Sequence, residues 1–105
     1  MAVRKVCWMF INTGVTEGVR REVFEHGQGQ MITCGVNSYA NACAEAKRLV
    51  EDGIVMLELC GGFGDIGVAR VKEAVEGKIP VGVIRFDKHP GYDFESGDVR
   101  WLKDE

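Results

Sequence analysis

Residues 54–67 read Ile54-Val55-Met56-Leu57-Glu58-Leu59-Cys60-Gly61-Gly62-Phe63-Gly64-Asp65-Ile66-Gly67. A mostly apolar run ends in a cluster of glycines, and an amphipathic segment follows. Near-continuous apolar character from Ile54 to Leu59 predicts a strand covered on both faces. Val68, Val71 and Val75 then fall on one face of a helix over 66–76, with Asp65 as candidate N-cap and Gly77 as stop. Where such a helix leads on to a further strand, the crossover makes the two strands parallel.

The same beat recurs along the chain. Apolar runs at 5–11, 30–36, 54–59 and 80–86 follow one another at nearly constant spacing. Between the second and third, Tyr39, Ala42, Cys43, Ala46, Leu49 and Val50 make a helical stripe over 38–52. Asn37 or Ser38 caps its start, and Gly53 takes the left-handed conformation at its end. Between the first and second, Val19, Val23 and Phe24 suggest a helix over 16–26, capped by Thr16 and stopped by Gly27. Gly18 lowers its propensity by up to ~1 kcal/mol. The expected fold is α/β, β-α-β-α-β-α-β: a four-stranded, mostly parallel open sheet in order 2-1-3-4, with three helices on its two faces. The alternative closure is a half-barrel completed by a second chain. Pro80 suits an edge strand or a strand's first residue.

Composition bounds the rest. The chain has 105 residues and a net charge of -3, with 46% hydrophobic residues. That is one domain, too apolar to be disordered and too acidic for nucleic acid or an anionic membrane. Two basic residues precede the first apolar run, but the run is shorter than the ~7–15 residues of a signal core. No run approaches the ~18–20 apolar residues of a span. Cys7, Cys34, Cys43 and Cys60 form no CxxC pair, so no zinc ribbon or thioredoxin motif is expected. These features predict a cytoplasmic protein with free thiols.

The whole net charge lies in the segment 87–105, where acidic side chains outnumber basic ones two to one. Residues 1–86 are therefore read as the α/β domain and 87–105 as an acidic tail. Tyr92, Phe94 and Trp101 make that tail aromatic, which a solvated acidic tail seldom is. It is expected to dock on its own or a neighbouring subunit, over the crevice at the strand ends.

Glycines between a strand and a helix start let a ligand approach backbone N–H groups at the positive end of the helix dipole. Gly61, Gly62, Phe63 and Gly64 thus form a candidate site for a phosphate or carboxylate. Gly62 to Gly67 match G-x-G-x-x-G in letters. Asp87 stands where that fingerprint places its acid, about 20 residues on. The motif follows the third strand rather than the first, however, and the chain is too short for a second nucleotide-binding half. A tight turn needing glycine only for geometry is the competing reading.

The segments Leu57-Glu58-Leu59-Cys60-Gly61-Gly62-Phe63-Gly64 and Lys78-Ile79-Pro80-Val81-Gly82 resemble those of a family of small bacterial proteins of unknown function. The likeness extends from the leading strand to about position 85, through the alanine-rich helix that ends in Leu49-Val50-Glu51-Asp52-Gly53. It supports the domain and the loop and implies no activity.

In an open parallel sheet the ligand lies beyond the C-terminal strand ends. The residues delivered there are Asn12 and Thr13, Asn37 and Ser38, Glu58 and Cys60 with the loop, then Arg85, Asp87 and His89. Glu58, in an apolar strand, must be desolvated or paired, with Arg85 the natural partner. Cys60, beside a helix start, is a candidate nucleophile with His26 or His89 as base. Cys60, His89, Glu58 and Asp87 include metal-ligating types, but their spacing fits no metal motif and no metal is expected. Trp8, Met9 and Phe10 are read as core. The leading reading is a binder of a small anionic or carbonyl metabolite at Gly61–Gly67, with acid/base or thiol chemistry by Glu58, Cys60 and His89. The other reading is a non-catalytic homo-oligomeric scaffold or regulatory subunit, with a thin core favouring association.

Overall fold

The computed structural model describes residues 4–102. Five strands, β1 (Arg4–Ile11), β2 (Val19–His26), β3 (Gly29–Val36), β4 (Ile54–Leu59) and β5 (Val81–Val83), form one sheet in the order β2-β3-β1-β4-β5. β1 runs parallel to β3 and β4, β4 runs parallel to β5, and β2 is antiparallel to β3. The helices are α1 (Tyr39–Glu51), α2 (Asp65–Val75) and a short α3 (Gly97–Trp101), preceded by a 3-10 turn over Pro90–Tyr92.

The fold is mixed α/β, and the four expected strands are all present, although the last spans only Val81–Val83 rather than 80–86, because it pairs with β4 at Leu57–Leu59 alone. The sheet has five strands rather than four, and its order differs from 2-1-3-4 by the added antiparallel edge strand. That strand replaces the helix expected over 16–26. Val19, Arg21 and Val23 alternate with Arg20, Glu22 and Phe24 across its two faces. The stripe Val19, Val23, Phe24 fits both periods, and full-length pairing with β3 decides for the strand. Gly27, at φ +54, turns the hairpin instead of stopping a helix.

α1 behaves as its stripe predicts. Ser38 Oγ accepts the N–H of Asn41 at 3.0 Å, and Gly53 follows at φ +96. α2 does not start as predicted. Its N-cap is Gly64, without a side-chain bond, and Asp65 is its first residue.

Both long helices pack on one face of the sheet, not on two. Cys7, Met9 and Ile11 of β1, Ile32, Cys34 and Val36 of β3, and Leu57 and Leu59 of β4 form the core with Tyr39, Ala42, Ala46, Leu49, Phe63, Val71 and Val75. The other side chains of the same strands point away from it. Trp8 and Phe10 are half-buried there, with ring centroids 5.5 Å apart, rather than core residues. The sheet is thus two-layered, and its apolar strands are covered on only one side.

Among the described residues, one charged side chain enters the core. Glu45 of α1 is 3% exposed and accepts from Arg21 of β2 and from Arg48 at 3.0 Å. Arg21 thereby ties the hairpin to the helix layer. Among the described residues no helix is long and apolar enough to cross a membrane.

Candidate functional site

The loop after β4 lies at the C-terminal strand ends, as the parallel topology requires, and the chain's own tail covers it. Gly61, Gly62, Phe63, Gly64 and Gly67 are all buried. Five N–H groups of the loop and the helix start have acceptors inside the chain. Gly62 N donates to Cys60 Sγ at 3.4 Å and Phe63 N to the Cys60 carbonyl at 3.2 Å. Gly64 N donates to Tyr39 Oη at 3.0 Å. Ile66 N and Gly67 N donate to the two oxygens of Asp98, at 2.9 and 3.1 Å.

Asp98 therefore sits where an anion was expected. A carboxylate on the first N–H groups of a helix satisfies orphan donors and opposes the helix dipole. Tyr39 completes the clasp, its hydroxyl donating to Asp98 Oδ1 at 2.9 Å. Burial pushes the Tyr39 phenol well up, so it stays a donor to the carboxylate. The glycines make this approach feasible. A Cβ on Gly97 would lie 2.1 Å from the Gly62 carbonyl oxygen, and one on Gly64 would lie 2.3 Å from the Asp98 carboxyl carbon. Trp101, only 2% exposed, anchors the segment in the core.

The predicted residues divide into three groups. Cys60 and His89 come to one end of the sheet, joined by Tyr92. Tyr92 stacks on His89 at 4.3 Å between ring centroids, and Phe86 meets the imidazole edge-on at 5.4 Å. A Cβ on Gly62 would meet Tyr92 Oη at 2.7 Å and Cys60 Sγ at 3.3 Å, so phenol and thiol both close on this glycine and leave no room for a side chain there. Tyr92 Oη accepts from Trp101 Nε1 at 3.2 Å, and burial raises the phenol pKa. His89 Nδ1 accepts the Gly91 N–H at 2.9 Å, which places the proton of the neutral ring on Nε2. In this arrangement His89 is a donor and a stacking partner rather than a base for Cys60. His26, the other candidate base, pairs with Gly29 beside the hairpin turn, at the opposite end of the sheet.

Glu58 stands apart. It is exposed on the uncovered face, beside Trp8 on β1 and Gly82 on β5. The expectation of a desolvated or Arg85-paired carboxylate fails because it assumed a sheet covered on both faces. Arg85 instead holds Asp65 in a two-pronged pair at 2.6 and 2.7 Å and keeps that exposed carboxyl below its ordinary value.

The remaining predicted residues serve the backbone. Asn12 Oδ1 accepts the Gly14 N–H, and Thr13 is exposed beside it. Asn37 donates to the Val15 carbonyl and accepts from Asn41, pinning the loop before β2. Asp87 Oδ1 accepts the N–H of Lys88. Among the described residues no His, Cys, Asp and Glu cluster could hold a metal ion. A recess of about 270 Å³ opens on the helix side, lined by Tyr39, Ala40, Cys43 and Arg70.

Sequence reasoning missed Asp98, Tyr39, Tyr92 and Trp101 as members of the site. The aromatic character of the tail signalled Tyr92 and Trp101, its acidity was the signal for Asp98, and Tyr39 was read only as part of the α1 stripe.

Fold and site together define a small two-layer α/β domain whose glycine loop is clasped by its own C-terminal segment. The chain belongs to the family of unknown function DUF6506, whose profile matches residues 4–99. The match runs past the end of the sequence resemblance and includes Tyr92 and Asp98. No curated protein and no solved structure matches the chain significantly.

Proposed function

We propose that the protein binds a small carbonyl-bearing or anionic metabolite at the Cys60 side of the glycine loop, with Cys60 as the group that meets it. The observation that carries this reading is the Gly62 N–H directed at Sγ of the partly exposed Cys60, with Tyr92 Oη packed against the same glycine. Asp98 already occupies the helix start, so ligand chemistry moves to the other end of the loop. Thiol addition to a carbonyl forms a C–S bond, moves the π pair onto oxygen and transfers the thiol proton to that oxygen. A backbone N–H near sulfur and a phenol near the addition point suit such a step. The Nε2–H of His89 is a further donor for a carboxylate or carbonyl oxygen.

Alkylation by iodoacetamide at pH 7, mapped by mass spectrometry, tests this. Cys60 should react first, and glyoxylate, pyruvate or inorganic phosphate should slow it. Cys7 and Cys34, both buried and with thiols pushed up to about 12 chiefly by that burial, supply the silent reference. A Cys60 that reacts no faster than in the urea-unfolded chain, and that none of the three compounds protects, refutes the reading.

A further inference from the structure

The face of the sheet opposite the helices carries Trp8 and Phe10 of β1, Phe24 of β2, Met31 of β3, Met56 of β4 and, just past β5, Ile84. The register places the first five on one side, alternating with the buried core positions. Phe24 is 65%, Ile84 58% and Met56 37% exposed. Neither long helix touches this side. Contiguous apolar area on a protein surface marks an interaction site.

We infer that a second copy of this chain covers this face. Size favours that occupant. Five strands at about 4.8 Å spacing, up to eight residues long at about 3.3 Å per residue, give a footprint of roughly 500–600 Å². Two such faces bury about 1,000–1,200 Å² even before side-chain relief is counted, which reaches the range of specific protein interfaces. Sheets of like twist pack face to face at about 10 Å with interdigitating side chains, so one sheet offers another the shape it needs.

Charge favours it as well. The charged groups among the paired residues of this side are Arg4, Arg20, Glu22 and Glu58, which balance. Arg20 and Glu22 are ion-paired to each other at 3.1 Å on the edge strand. The face thus lacks the basic field that a nucleic acid or anionic bilayer requires. A twofold axis along β1 sets β4 of one copy over β3 of the other, so the two Glu58 carboxylates do not oppose each other. Glu58 then lies over Thr33, whose hydroxyl can donate to it.

Sedimentation velocity of the full chain from 1 to 100 µM is the test. The wild type should self-associate. Trp8→Glu should weaken the association by about 30-fold or more, as loss of a central aromatic anchor does. Met56→Glu, at a position already open to solvent, should do the same and carries the test if the Trp8 variant does not fold. Phe94→Glu, in the tail and 67% exposed, should leave association unchanged. A wild type monomeric at 100 µM overturns the inference, as does association that survives Trp8→Glu and Met56→Glu in folded protein. A monomer that floats with neutral phosphatidylcholine vesicles would assign the face to lipid instead. Cys60 alkylation is read separately, so either result stands without the other.

Discussion

Replacing Asp98 by alanine removes three hydrogen bonds at one stroke. Its carboxylate accepts from Ile66 N, Gly67 N and Tyr39 Oη, and Gly64, the N-cap of α2, has no side chain to substitute for it. Loss of a helix cap costs about 0.5–2 kcal/mol. The opposed charge at the dipole adds about 0.3–1 kcal/mol. Tyr39 is 1% exposed, and a buried hydroxyl left without its acceptor costs roughly 1–3 kcal/mol. Water entering the vacated space offsets part of this, so about 2–4 kcal/mol is expected in total. For a domain near 100 residues that lowers Tm by roughly 10–20 °C. Urea unfolding followed by circular dichroism measures the loss. Tryptophan emission gives an independent readout, because Trp101 shifts to the red if the tail undocks. Asp98→Asn, which keeps one acceptor oxygen without the charge, should lie between wild type and Asp98→Ala. An Asp98→Ala protein within about 0.5 kcal/mol of wild type, the range of an ordinary surface substitution, with unshifted emission, would refute the clasp as the reason the tail is held.

Gly97→Ala should destabilise by about 1–3 kcal/mol through overpacking against the Gly62 carbonyl, while Gly82→Ala, with open space around it, stays near neutral; paired urea curves decide. Arg21→Ala should cost more than Glu45→Gln, because the first leaves a buried carboxylate with Arg48 as its one remaining cation, whereas the second leaves two arginines that can hydrate; thermal unfolding of both variants checks the order. Arg85→Ala should return the Asp65 carboxyl upward toward 3.8, as followed by NMR titration. The sign is that of a lowered carboxylate: its pairing is present at neutral pH and is lost as pH falls through the folded-state pKa. An unmoved Asp65 would show that the arginine does not set it.

Four strands, two helices and the two ends of α1 were legible in the sequence because each is set by local signals. The stripe of 38–52, the Ser38 cap, the left-handed Gly53 and the glycine-rich exit from β4 need no distant partner to be read. Residues 16–26 were misread because their apolar spacing fits both a helix and a strand, and the deciding hydrogen bonds come from β3. Glu58 was misjudged for a related reason. A strand's apolar run reports that it is hydrophobic on both sides, not whether the fold covers both sides.

The sequence by itself determined where the glycine loop lies, since parallel strands deliver their loops to one end and glycines mark the loop that must be approached closely. It also located the net charge in the tail. What packs against that loop is a property of tertiary structure alone. Asp98 is far along the chain from Ile66, and no local pattern links a tail carboxylate to a helix start that distant. The core decides that link, by seating Trp101 beneath the loop and leaving Asp98 opposite the free N–H groups of α2. The uncovered sheet face has the same origin, because both helices choose one side only when the whole chain is packed.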